Sequence, residues 1–169
     1  MVPLKRPELI LKFIAAGQGS PNPMVVFDRA ANNYNNPGTQ WKISSPNIAN
    51  PVELSAMLKP APDFISPVIN IFPSPGKGLQ VAKPESGSLL LARPSGPSFN
   101  QKWTLEFHGP WFFIKQHPTS LCAQPLKSQT VEANMPLVLG PKSRNPIQGG
   151  QMYFTDNNTV FPANEEQLI

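Results

Sequence analysis

Gln101-Lys102-Trp103 and Gln151-Met152-Tyr153 each place a glutamine two residues before a large aromatic, and Thr39-Gln40-Trp41 repeats the pattern in weaker form. Upstream of the aromatic, by roughly one strand and one loop, stands an apolar run: Leu89-Leu90-Leu91, Leu137-Val138-Leu139, and in the first stretch Met24-Val25-Val26-Phe27. Recurrence of one pattern along a chain is the signature of an internal repeat, so the sequence reads as three copies of one supersecondary unit.

Composition agrees with that reading. The chain has 169 residues, enough for a single domain, 1–169, with its own core. Proline takes 22 positions and charged residues only 14%, which leaves little room for long amphipathic helices and favours short strands joined by loops. The net charge of +4 is spread out, with no basic run longer than Lys5-Arg6, and no nucleic-acid partner is expected. Cys122 is the only cysteine, which excludes an intrachain disulfide and a thiolate zinc site and points to a cytoplasmic protein. Lys12 interrupts Leu9 to Ala16, so no secretory signal is expected there, although secretion by a non-standard route stays open. No apolar stretch approaches the roughly 18 residues that span a bilayer. The sequon Asn157-Asn158-Thr159 is read as chance in an asparagine-rich chain.

The strands of the later units can be read in order. In the third unit, about 109–160, Trp111 to Lys115 precedes a His117-Pro118-Thr119 turn; Ser120 to Ala123, Leu137 to Leu139 and Gln151 to Thr155 follow. The second unit, about 64–108, runs Val68 to Phe72, Gly78 to Ala82, Ser88 to Ala92 and Trp103 to Phe107. The first, about 8–46, is degenerate: Leu9 to Ala15 is its expected opening strand, with little space for a second before Met24 to Asp28. Between the first two units an insertion, 47–63, contains Pro51 to Lys59, framed by prolines and read as a helix of about two turns. The tail, 161–169, is expected to return to the first strand.

Three four-stranded units closing on a Gln-x-aromatic strand resemble the ricin-B-type lectins, closest in character to small fungal lectins. Met135-Pro136-Leu137-Val138-Leu139-Gly140 followed by Gln-x-aromatic looks like the third repeat of that group. The resemblance implies an all-β fold, a β-trefoil of three four-stranded pseudo-repeats with a short helical insertion between repeats 1 and 2. It implies structural roles for Trp41, Gln101, Trp103, Gln151 and Tyr153, the aromatics filling the core and the glutamines bonding backbone, as a large apolar ring and an adjacent amide should.

The same resemblance implies where a sugar would bind. Galactose-binding members use an aspartate on the second strand, an aromatic after the third and an asparagine before the conserved glutamine. In the second unit Ala82 stands at the aspartate's place, and Asn100 survives beside Gln101. In the third, Gln124 takes the aspartate's place, Gly150 the asparagine's, and Gln148 is near enough in sequence to substitute. In the first, Phe27 matches the stacking aromatic, with Asp28 next to it, and Tyr34 lies in an asparagine-rich loop. No unit keeps the whole set. Amides can bind sugar hydroxyls and aromatics can cover a sugar's C–H face, so Gln124, Gln148, Asn100, Phe27, Asp28 and Tyr34 are the candidate carbohydrate contacts.

Catalytic groups are sparse. His108 and His117 are the only histidines; Cys122 and His117 form the sole thiol pair to weigh, and a cysteine in an apolar strand is usually inert packing. The expected function is therefore glycan or glycoprotein binding of a defence type, without catalysis, cofactor or metal; a homodimer would suit agglutination. The alternative is a β-trefoil protease inhibitor, whose proline-stiffened loop would present Lys142 or Arg144 to a trypsin-like pocket. A protein-binding scaffold is a third class the composition allows.

Overall fold

The computed structural model describes residues 2–3, 9–14, 24–29, 41–58, 61–72, 77–94, 96, 98–109, 111–126, 135–141, 152–153 and 161–162. They form strands β1 (Val2–Pro3), β2 (Leu9–Ile14), β3 (Met24–Arg29) and β4 (Lys42–Ser44), then helix α1 (Pro51–Met57). After it come β5 (Ala61–Ile65), β6 (Asn70–Phe72), β7 (Lys77–Val81), β8 (Leu90–Pro94) and β9 (Trp103–Gly109). The chain continues through β10 (Trp111–Gln116), β11 (Cys122–Pro125), β12 (Leu137–Gly140), β13 (Met152–Tyr153) and β14 (Phe161–Pro162). The class is all-β, with one short helix.

Alternation builds these strands. In β8, Leu90 and Ala92 are buried while Leu91 and Arg93 are half-exposed, the period of two that puts one face on a core and the other outward. Three antiparallel hairpins pair in the same way: β2 with β3, β7 with β8, and β11 with β12. Their second strands meet one another in a fixed cycle. Met24 bridges Leu91, Leu89 bridges Val138, and Pro136 bridges Val26, so that each hairpin contacts the next two residues further along. Amide bonds flank two of these bridges, Phe27 N to Met135 O at 3.1 Å and Leu139 N to Ser88 O at 2.9 Å.

This cycle makes Val25, Leu90 and Leu137 equivalent, and likewise Phe27, Ala92 and Leu139; all six are buried. Beneath them the other strands pair along one path, β1–β13–β10–β9–β6–β4. The β9–β6 link is the reciprocal pair Ile69 N to Trp103 O and Trp103 N to Ile69 O, at 2.8 and 2.9 Å. Trp41 and Trp103 sit in this core fully buried, and their indole N–H groups donate to Leu11 O at 3.3 Å and Leu79 O at 2.9 Å. Leu11 and Leu79 are themselves equivalent, facing Phe27 and Ala92. The two tryptophans thus make the same bond to corresponding residues of two hairpins. Truncating a buried tryptophan to alanine costs about 3–5 kcal/mol, which outweighs any surface ion pair in this protein.

Three expectations change. Leu9–Ile14 pairs along its whole length with Met24–Arg29, and Val2–Pro3, not expected as a strand, pairs with β13. The tail strand β14 pairs in parallel with β4, Phe161 opposite Lys42, rather than with the first strand, because the edge of β4 away from β6 receives it. The third concerns where the insertion ends, not its helix, which forms as expected over Pro51–Met57. Asn50 caps α1, its Oδ1 accepting from Val52 N, and Pro51 opens it; Leu54 and Leu58 then enter the core. From Ala61 the chain is already strand, paired with β9.

β5 and β6 therefore flank the same strand, β9, in succession. At the break between them Ser66 N donates to Leu105 O at 2.8 Å, and the Ser66 hydroxyl accepts from Leu105 N at 2.8 Å while donating to Pro67 O at 2.8 Å, so the side chain stands in for a backbone acceptor where the register breaks. Ser66 is buried for this reason. Replacing Ser66 with alanine would strand a buried amide, and urea denaturation should show a loss of about 1–3 kcal/mol; an unchanged midpoint would mean the hydroxyl is dispensable.

Candidate functional site

The outward faces of the three hairpins present equivalent positions with different chemistry. The register places Lys12 opposite Val26, Gln80 opposite Leu91 and Gln124 opposite Val138, so these three residues correspond. The structural counterpart of Gln124 is thus Gln80, not Ala82, two residues later, where the sequence comparison put it. Next along the facing strand, Asp28, Arg93 and Gly140 correspond in turn.

In the second hairpin the position is already engaged. Gln101, at the end of a 3-10 turn (Phe99–Gln101), is buried and lies over Gly78. Its Oε1 accepts from Gly96 N at 3.0 Å; its Nε2 donates to Pro94 O at 2.8 Å and to Gln80 Oε1 at 2.9 Å. Gly78 is required here because a Cβ would fall 2.5 Å from Gln101 Oε1. The structural role expected of Gln101 is met by these bonds: one amide fastens the loop before β9 to the hairpin.

Gln124 differs. It is half-exposed on β11, with its amide against Gly140 in the space a side chain there would fill. Among the described residues its side chain makes no hydrogen bond, in contrast to Gln80, Gln101 and Gln116, all of which are bonded. Asn100 is also half-exposed; its backbone N–H bonds Ser98 Oγ at 3.2 Å, and its side-chain amide has no partner among the described residues. Amides placed outward without partners can exchange water for the hydroxyls of a ligand.

Phe27 is a correction. Its side chain has 0% exposure and belongs to the core cluster, so it cannot stack on a sugar; the alternation of β3 turns it toward Leu11. Asp28 pairs through its backbone with Ile10, and Tyr153 through its backbone with Val2, but their side chains lie outside the described residues. So do Tyr34, Gln148, Gln151, Lys142 and Arg144 altogether. The structure brings Gln124 and Asn100 to separate hairpins rather than to one pocket.

A second polar group escaped the sequence reading. On the outer face of β5, β9 and β10, His108 Nδ1 lies 2.9 Å from Asp63 Oδ1 and His108 Nε2 lies 3.0 Å from Glu106 Oε2. Lys115 Nζ donates to Glu106 Oε1 at 3.2 Å. Only the alternation 104, 106, 108 could have hinted at it; Asp63 is distant in sequence. Because Asp63 is 86% exposed, its link is weakly stabilising, about 0–1 kcal/mol, and the cluster serves chiefly to tie three strands together.

No protein-family model and no curated protein matches the chain. A solved structure from Caenorhabditis elegans, described as a protein with unknown function from structural genomics, is similar to it: TM-score 0.56, 16% identity, with 87% of this chain and 86% of that chain covered. At that identity the likeness concerns the fold alone.

The Gln101–Gly78 contact has a direct check. Gly78→Ala should destabilise by about 1–3 kcal/mol in urea melts, and much less in a Gln101→Ala background, since the clash is with that one amide. Equal costs in both backgrounds would place the strain elsewhere.

Proposed function

We propose that the chain is a β-trefoil that binds glycans through the outer face of its third hairpin and catalyses no reaction. The trefoil reading is supported by the cyclic bridges among β3, β8 and β12 and by the equivalent indole bonds of Trp41 and Trp103. These are the relations that three copies of one four-stranded unit around a common axis would have.

One observation carries the ligand: Gln124, at the second-strand position from which the resembled lectins reach a sugar hydroxyl, presents an amide without a partner beside a residue that has no side chain. Gly140 has no side chain to displace the Gln124 amide, whereas the second hairpin carries Arg93 at that position. The amide offers two N–H donors and a carbonyl acceptor, a match for vicinal hydroxyls. In the second repeat the equivalent carbonyl is taken by Gln101, so the neutral site is assigned to repeat 3.

A glycan array, followed by calorimetric titration of the best ligand, tests this. Binding of a neutral oligosaccharide with one site per chain is expected, reduced at least about tenfold by Gln124→Ala, the loss of one to two hydrogen bonds. Absence of any neutral glycan at millimolar ligand would refute the reading, as would a Gln124→Ala variant that binds normally. Gln124 is half-exposed and unbonded, so the variant should retain the wild-type melting temperature.

A further inference from the structure

We infer a second, charge-selective glycan site on the outer face of the β7–β8 hairpin, where Arg93 and Gln80 take the carboxylate of an acidic sugar and Asn100 a hydroxyl of its ring. The inference rests on the reading of the chain as a glycan binder but uses a different repeat and different residues from the neutral site at Gln124.

Arg93 faces Gly78 across the hairpin, and Gln80 lies two residues from Gly78 on the same face of β7. The Gln101 amide fills the place that a side chain on Gly78 would take, so that amide stands opposite Arg93 across the hairpin. Arg93 is half-exposed, and among the described residues it makes no ion pair and no hydrogen bond. Neither β7 nor β8 carries an acidic residue to neutralise it.

Gln101 sets the polarity of the face. By donating to Gln80 Oε1 it occupies one lone pair of that carbonyl and leaves both N–H groups of Gln80 without a partner among the described residues. Asn100, in the 3-10 turn against β7, adds an amide without a partner among the described residues. Guanidinium and Gln80 Nε2 supply donors, so the face suits a ligand group that only accepts. A carboxylate meets a guanidinium with two parallel bonds, and the Asn100 amide, donor and acceptor together, suits a hydroxyl of the attached ring. Arg93 has Asp28 and Gly140 as its counterparts, so a guanidinium at this position belongs to this repeat alone and a uronic or similar acid would be directed to it.

The test titrates the intact chain with methyl glucuronide, methyl glucoside and acetate, following backbone amide shifts. Methyl glucuronide is expected to move Gln80, Arg93 and Asn100 and to bind more tightly than either comparator. Arg93→Gln should weaken it at least about tenfold while Arg93→Lys, keeping the charge without the fork, loses less; such a drop is what removal of a bidentate ionic bond gives. Gln124→Ala should leave this binding unchanged, which separates failure of this site from failure of the neutral one. Acetate binding as tightly as methyl glucuronide would overturn the sugar assignment. Unaltered glucuronide binding by an Arg93→Gln variant with wild-type melting would overturn the site.

Discussion

Three strands meeting in rotation hold the molecule together. Met24 against Leu91, Leu89 against Val138 and Pro136 against Val26 are one contact made three times, and each fixes the residue between its partners on the core side: Val25, Leu90 or Leu137. A one-residue slip in any of them would turn a core face outward, so the arrangement is specified by burial and not only by hydrogen bonds. From it follow the equivalence of Leu11 and Leu79, the common bond of Trp41 and Trp103, and the correspondence among outer positions.

That correspondence separates scaffold from function. The backbone offers the same half-exposed position three times, filled by Lys12, Gln80 and Gln124, while the facing strand offers Asp28, Arg93 and Gly140. Inner positions are constrained to be apolar and close-packed; outer ones are free to differ. Under the proposed function the third repeat presents a neutral amide and the second a cationic face, with Gln101 deciding how much of Gln80 is left to a ligand. His108, Asp63 and Glu106 stand on another face and serve to bind strands to one another.

Strands β9, β10 and β12 were legible in the sequence because aromatic and apolar runs mark them and His117-Pro118 follows the end of β10. Helix α1 was legible too, between its prolines. Strand β1 was not: it has only two paired residues, Val2 and Pro3, too short for any periodicity. Nor was the role of Phe27, since an aromatic after an apolar run reads the same whether it faces a ligand or the core; only the register opposite Leu11 separates them. The register counterpart of Gln124 was set two residues late, at Ala82 instead of Gln80, because cross-strand register is not visible in a linear pattern. Arg93 and the cluster around His108 depend on cross-strand neighbours, information that no linear pattern carries.

The rotational contact is open to a single measurement. The Val26–Pro136 and Leu89–Val138 bridges are of the wide, non-hydrogen-bonded kind, in which α-carbons approach most closely. A nuclear Overhauser spectrum of the folded chain in D2O should show Hα–Hα cross-peaks for Val26 with Pro136, Leu89 with Val138 and Met24 with Leu91, at similar intensity. Absence of one of the three, or its replacement by a cross-peak shifted by a residue, would contradict the threefold arrangement and the face equivalences that rest on it.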